Sequence, residues 1–241
     1  MSFSVVIPAR YASTRLPGKP LLDISGKPML QHTWERALLS GATRVVIATD
    51  DERILEVANA FGAEALMTSA SHQSGSDRIC EVVDALGFDD SDCVVNVQAD
   101  EPLIPSEAID QVAECLKLNA DYGLATLCEP IENEREYIES SSVKVVMDKF
   151  GRALYFSRAP IPASVSLPNG CYRHIGIYAY RVGVLRKFVT WPVAPIEAVE
   201  RLEQLRALYN GVAIHVSIAP TRIPPGVDTP EDLMAVRAFL K

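Results

Sequence analysis

The sequence predicts an α/β fold, a doubly wound and mostly parallel sheet with an antiparallel insertion in its second half. Two observations carry that prediction. Up to about residue 118, short continuous apolar runs alternate with amphipathic segments, the pattern of parallel strands covered by helices on both faces. From about Tyr122 the apolar runs follow one another without full helices between them, and one run alternates cleanly, as a strand with two differently filled faces does.

The elements follow in order. "FSVVIP" reads as a buried strand, and "PMLQHTWERALLS" as a helix stopped at Gly41. "RVVIAT" is a second strand. "DDERILEVANAFG" is a helix whose acidic start suits the positive end of the helix dipole. "AEALMT" and "DCVVNVQ" are strands, separated by the helix "SDRICEVVDALG" and followed by the helix "PSEAIDQVAECLKL". In the second half "YGLATLCEP", "SVKVVMD" and "ALYFSR" are strands, and the Pro- and Ser-rich "APIPASVSLPNG" is a loop. "YRHIGIYAYR" sends Ile175, Ile177 and Ala179 one way and His174, Gly176, Tyr178 and Tyr180 the other. "PIEAVERLEQLRALYNG" reads as one helix with Pro195 in its first turn and Gly211 past its end. Its buried stripe would be Ile196, Val199, Leu202, Leu205 and Leu208. "AIHVSI" is a last strand and "TPEDLMAVRAFL" a last helix, capped by Thr229. The reading is one domain, residues 1–241, in which approximately 122–190 form the insertion.

Composition narrows the function. Hydrophobic residues make up 48% and charged residues 22% of the 241 positions, ordinary for a globular domain. No apolar run approaches the ~20 residues of a membrane span, and no basic leader precedes a long apolar stretch. Cys80, Cys93, Cys115, Cys128 and Cys171 form no C-x-x-C pair, as expected of buried thiols in a reducing compartment. A cytoplasmic chain without membrane contact is expected. A net charge of -8 argues against general nucleic-acid binding, which neutralises many phosphates.

Against that acidic background, "IPARYASTRLPGKPL" places Arg10, Arg15 and Lys19 in one loop. The loop leaves the first strand at Pro8, on the carboxyl edge where open α/β sheets bind ligands. Neither a Walker A sequence nor a G-x-G-x-x-G fingerprint is present. Small residues (Ala12, Ser13, Gly18) let backbone amides approach phosphate oxygens, arginines supply forked donors, and lysine supplies a compact charge. A triphosphate fits that loop. "VVNVQADEP" puts Asp100 and Glu101 just past the fourth strand, and "GVDTPEDL" puts Asp228 just before the last helix. Two carboxylates beside a triphosphate would hold Mg²⁺, which takes a few carboxylates plus phosphate oxygens. Each aspartate also has an ordinary reading, one as a turn residue and the other as helix-entry charge, and spacing alone does not bring them together.

The chain resembles the 3-deoxy-manno-octulosonate cytidylyltransferase family. The ordered blocks "IPARYASTRLPGKPL", "HQSGSDR", "VNVQADEP", "VKVV", "ALYFSRAPIP", "RHIGIYAYR", "LEQLRAL" and "VDTPEDL" carry the resemblance nearly end to end. It implies a Rossmann-like nucleotidyltransferase fold and transfer of CMP from CTP to the anomeric hydroxyl of an acidic eight-carbon sugar. Release of pyrophosphate, a Mg²⁺ requirement, a cytoplasmic homodimer and a role in lipopolysaccharide synthesis are implied with it. Ala99 stands where the family usually has Gly, and Ser76 where Thr is commoner.

On that resemblance Lys19 faces the α-phosphate, with Asp100 and Asp228 as metal ligands. Pro8, Ala9, Arg10, Arg15, Ser74, Gly75, Arg78 and Gln98 fall on the nucleotide side. Arg158, His174, Tyr178, Glu203 and Gln204 fall on the sugar side, and the insertion supplies sugar and dimer contacts. Ser74 or Ser76 reads equally as a helix cap, and His32, His72 and His215 read as structural. Other acceptors, such as an 8-amino octulosonate or sialic acid, and a non-catalytic nucleotide-binding regulatory module remain open from sequence.

Overall fold

The computed structural model describes residues 2–12 and 16–240. Its strands are β1 (Phe3–Ala9), β2 (Asp23–Ile24), β3 (Lys27–Pro28), β4 (Arg44–Thr49), β5 (Glu64–Met67), β6 (Cys93–Asn96), β7 (Leu124–Pro130), β8 (Lys144–Met147), β9 (Ala153–Ser157), β10 (Tyr172–Arg181) and β11 (Ile214–Ile218). Its helices are α1 (Met29–Leu38), α2 (Glu52–Ala60), α3 (Gly75–Ala85), α4 (Ser106–Leu118), α5 (Glu134–Ile138), α6 (Val182–Thr190), α7 (Pro195–Glu200), α8 (Leu205–Tyr209) and α9 (Pro230–Phe239).

The main sheet runs β11-β7-β10-β6-β1-β4-β5. β1 pairs in parallel with β4 and β6, and β4 with β5. β10 runs antiparallel to both β6 and β7, and β11 is parallel to β7. β8 and β9 extend from β10 as an antiparallel arm. Strands from the second half therefore join the sheet of the first half.

Period-two alternation separates two cores. Val5, Ile7, Val45, Ile47 and Val95 pack under α1, α2 and α4. Val6, Val46 and Val94 pack under α3, α6 and α8. Neither face is left to water, which explains why β1, β4 and β6 read as continuous apolar runs. The split persists along β10: Ile175, Ile177 and Ala179 join the first core, Tyr178 and Tyr180 the second. It survives a register shift against β7 between Ile175 and Tyr178. A third, smaller core (Ile24, Met29, Val227, Leu233, Val236) holds α9 against the β2–β3 hairpin. The hairpin turns through Ser25 and Gly26, both at positive φ, as a two-residue turn requires.

The structure corrects the sequence reading in the second half. The expected single helix over "PIEAVERLEQLRALYNG" is two, α7 and α8. Arg201 ends α7 in the left-handed region at φ 53. The turn resets the phase, so Val199, expected in the buried stripe, is 84% exposed, whereas Leu202 and Leu205 are buried. Helix α6, which follows β10 directly, and the β2–β3 hairpin were not expected.

Candidate functional site

At the carboxyl edge of β1 and β6 lies a cavity of about 650 Å³. Of the residues expected on the nucleotide side, Pro8, Ala9, Arg10, Lys19, Ser74, Gly75, Arg78 and Gln98 line it, together with Asp100 and Asp228. Arg15 lies outside the described residues. Each contributor has a local cause.

Gly18 sits at φ 66 and turns the loop into a short 3-10 turn that begins at Lys19. A Cβ at Gly18 would lie 3.1 Å from the Tyr11 ring. Arg53 packs on the Tyr11 ring at 3.3 Å from its centroid. Lys19 is thus delivered from a fixed base. Its Nζ donates to Asp100 Oδ2 at 2.5 Å, to the Val227 carbonyl at 2.9 Å and to Asp228 Oδ1 at 3.1 Å.

The two aspartates, 128 positions apart in sequence (228 − 100), meet because their loops pair. Val227 N–H donates to the Asp100 carbonyl at 2.8 Å. Gly226 permits the approach, since a Cβ there would lie 3.2 Å from that carbonyl oxygen. Asp228 stands just ahead of α9, where Thr229 and Asp232 form a capping box and Pro230 opens the helix. Asp232 also accepts from the Asp228 amide at 3.0 Å.

On the opposite wall Ser74 caps α3 in a capping box with Asp77. The cap is Ser74, so the alternative at Ser76 falls away. Arg78 is 4% exposed. Its guanidinium binds Asp50 at 2.7 Å and also Thr68. Gln98 donates to Asn96 at 3.2 Å. Ala99 lines the cavity and is not among the positive-φ residues, so its backbone does not demand glycine. His72, expected to be structural, also lines this cavity, and its Nε2 lies 2.5 Å from Glu81 Oε2. Its place at the head of "HQSGSDR" was the available signal.

The residues expected on the sugar side do not line this cavity; they gather elsewhere. His174 and Tyr178 stack with centroids 5.3 Å apart. Glu203 Oε2 accepts from Ser76 Oγ at 2.9 Å. Three buried polar atoms there have no hydrogen-bond partner: Tyr178 Oη, Glu203 Oε1 and Gln204 Nε2. Buried polar atoms are normally paired, so this cluster keeps unused hydrogen-bonding capacity. Burial pushes the Glu203 carboxyl above its ordinary range, with Ser74 and Ser76 opposing. Burial, and then the Asp100 charge, lift Glu101 to about 8. Burial drops His174 to about 3, so the ring is neutral at ordinary pH. The Arg158 guanidinium is engaged by main-chain carbonyls. Its Nε, Nη1 and Nη2 donate to the carbonyls of Glu200, Ser140 and Arg201 at 2.8, 3.1 and 3.4 Å.

The cysteines are buried and free. Burial pushes Cys80 up to about 11 and Cys93 and Cys128 to about 12, which marks them as packing groups.

The chain is similar to known proteins in sequence and in fold. A cytidylyltransferase family model matches residues 4–215. The 3-deoxy-manno-octulosonate cytidylyltransferase of Cellvibrio japonicus is 58% identical over 252 residues, spanning 100% of this chain and 99% of that protein. The enzyme of the same name from Marinobacter nauticus is 56% identical over 255 residues, spanning 100% and 98%. A solved structure of CMP:2-keto-3-deoxy-manno-octonic acid synthetase complexed with CTP superposes with a TM-score of 0.93 at 44% identity, covering 99% of this chain and 98% of that one. A 4-diphosphocytidyl-2C-methyl-D-erythritol synthase, at 16% identity and TM-score 0.67, shares the fold.

Proposed function

The chain belongs to the 3-deoxy-manno-octulosonate cytidylyltransferase family, and from that premise we propose that it transfers CMP from CTP to the anomeric hydroxyl of 3-deoxy-manno-octulosonate. The observation that carries the reading is Lys19 held between Asp100 and Asp228 at the wall of the cavity.

The reaction forms a bond from the anomeric oxygen to the α-phosphorus and breaks the bond from that phosphorus to pyrophosphate. No protein nucleophile is needed; positioning and charge neutralisation suffice. Lys19 supplies positive charge where the α-phosphate oxygens gain negative charge. Arg10 and the backbone at Pro8 and Ala9 take the nucleotide, with Arg15 completing the cationic loop. Ser74, Gly75 and Gln98 form the facing wall, and Arg78 braces it through Asp50 and Thr68. His174, Tyr178, Glu203 and Gln204 receive the acceptor's hydroxyl groups, and Arg158 holds the main chain that leads to Glu203.

The donor set fits Mg²⁺. Two carboxylates already share one cation. Among the described residues no group of three or more His, Cys, Asp or Glu forms a protein-only metal cage, which suits an ion that substrate phosphates complete. Asp100 and Asp228 would hold it, and it would neutralise phosphate charge. The product is an activated acidic sugar of the kind used in lipopolysaccharide synthesis. A cytoplasmic homodimer whose partner contacts come from approximately 122–190 completes the proposal.

The test is pyrophosphate release from CTP and Mg²⁺ with a panel of acidic sugars: the octulosonate, its 8-amino analogue and sialic acid. Fastest turnover with the unmodified octulosonate is expected. Preference for another sugar overturns the acceptor. CTP binding with no pyrophosphate from any of them overturns the enzyme reading in favour of a regulatory module.

A further inference from the structure

The proposed nucleotide and acceptor sites share one strut. Ser76 lies in the first turn of α3, directly after Gly75, which lines the nucleotide cavity. It is 1% exposed, and its hydroxyl is not needed for the helix, because Ser74 supplies the cap. The hydroxyl instead crosses 127 positions of sequence to Glu203 Oε2, at 2.9 Å. Glu203 Oε1 has no hydrogen-bond partner; Arg206 Nη2 stands 3.9 Å from it, and the Ser74 hydroxyl, like that of Ser76, favours the Glu203 charge.

We infer that Ser76 is a positioning residue for the acceptor: its hydroxyl fixes one oxygen of Glu203 so that the other is presented to the sugar. This rests on the acceptor reading above. The chemistry of the surroundings supports it. A hydroxyl has one proton and two lone pairs. The Ser76 proton goes to Glu203, so this one hydroxyl ties the first turn of α3 to the connector that carries Glu203.

The experiment is steady-state kinetics on the full chain with CTP and the octulosonate. Wild-type turnover tests the underlying reading; if a different acidic sugar is the better acceptor, the same comparison is run with that sugar. Ser76→Ala is expected to raise KM for the acceptor roughly tenfold or more, the effect of removing a hydrogen bond to a charged group, with KM for CTP within about twofold. Ser76→Thr is expected to restore acceptor KM to within about threefold of wild type. In the double variant Ser76→Ala/Glu203→Gln, acceptor KM should be no worse than in Glu203→Gln alone, because both changes remove one interaction. If Ser76→Ala fails to fold, Ser76→Cys, which keeps the volume and weakens the donor, takes its place in both comparisons. An active wild type in which Ser76→Ala raises both KM values alike, Ser76→Thr gives no rescue, or the double variant is additive overturns the strut and leaves the enzyme reading standing.

Discussion

His174 Nε2 lies 3.0 Å from Thr126 Oγ1. The Thr126 hydroxyl also donates to the carbonyls of Ile175 at 3.0 Å and Ile177 at 2.7 Å. Its single proton is therefore committed to the β10 main chain, and it accepts from His174. That assigns the neutral imidazole with its proton on Nε2. Burial first, and Arg173 second, hold the ring at about 3.

The consequence for stability has a definite sign. In the unfolded chain the ring takes a proton near its ordinary pKa of about 6.5, whereas in the folded chain it does not until about 3. The His174 contribution is complete above the unfolded value and is lost as pH falls from there toward the folded one. Between pH 7 and pH 5 the stability of wild type relative to His174→Gln should drop by about 2 kcal/mol. Urea unfolding of both proteins at the two pH values checks this; a pH-independent difference would show that the ring titrates normally.

Asp100→Asn and Asp228→Asn should each lower kcat by about 10²-fold or more, the scale of removing one charged group from an electrostatic site. The side chains are 30% and 52% exposed, so stability should change by no more than about 1 kcal/mol. Turnover against Mg²⁺ concentration, alongside thermal melting, separates the two effects. Near-normal turnover at low Mg²⁺ in either variant removes that carboxylate from the site.

Lys19→Ala should act mainly on kcat, because charge on the α-phosphate grows toward the transition state. A loss of about 10²-fold is the expected order. A change confined to KM for CTP would make Lys19 a ground-state phosphate anchor.

Arg158→Lys keeps the charge and loses the fork. A single ammonium cannot reproduce the reach of Nε, Nη1 and Nη2 to three carbonyls, so the variant should be less stable by about 1–3 kcal/mol. KM for the acceptor should rise more than KM for CTP, since Arg201 precedes Glu203 by two positions. Separate titrations of the two substrates decide; a larger loss for CTP places Arg158 on the nucleotide side.

The parallel half of the fold was readable because β1, β4 and β6 are buried on both faces and so appear as unbroken apolar runs bounded by turn residues. The cationic loop was readable because three cations stand out in an acidic chain. The approach of Asp100 to Asp228 was not, because it depends on the Val227–Asp100 backbone bond and on Gly226, neither of which has a periodic signature. The break at Arg201 was hidden for a related reason. Arginine is a good helix former, and its place in the left-handed region goes with the bonds of the Arg201 and Leu202 amides to the Glu197 carbonyl and of Arg158 to the Arg201 carbonyl, none of which has a signature in the residue pattern. Ser76 looked like a possible cap until Ser74 was seen to fill that role.

The two halves of the site differ in permanence. Gln98 and Asp100 follow β6, a strand in the middle of the sheet, within four residues of its end, and Lys19 is bonded to Asp100. Glu203 and Gln204 sit on a connector between helices of six and five residues, each far below the ~12–15 residues at which an isolated helix becomes even marginal. That wall has no secondary structure able to persist undocked. Its amides should exchange with solvent through local openings at a lower free energy than those of β1 and β6, and bound sugar should slow them selectively. On the proposed assignment, binding of the acceptor would order the wall that receives it.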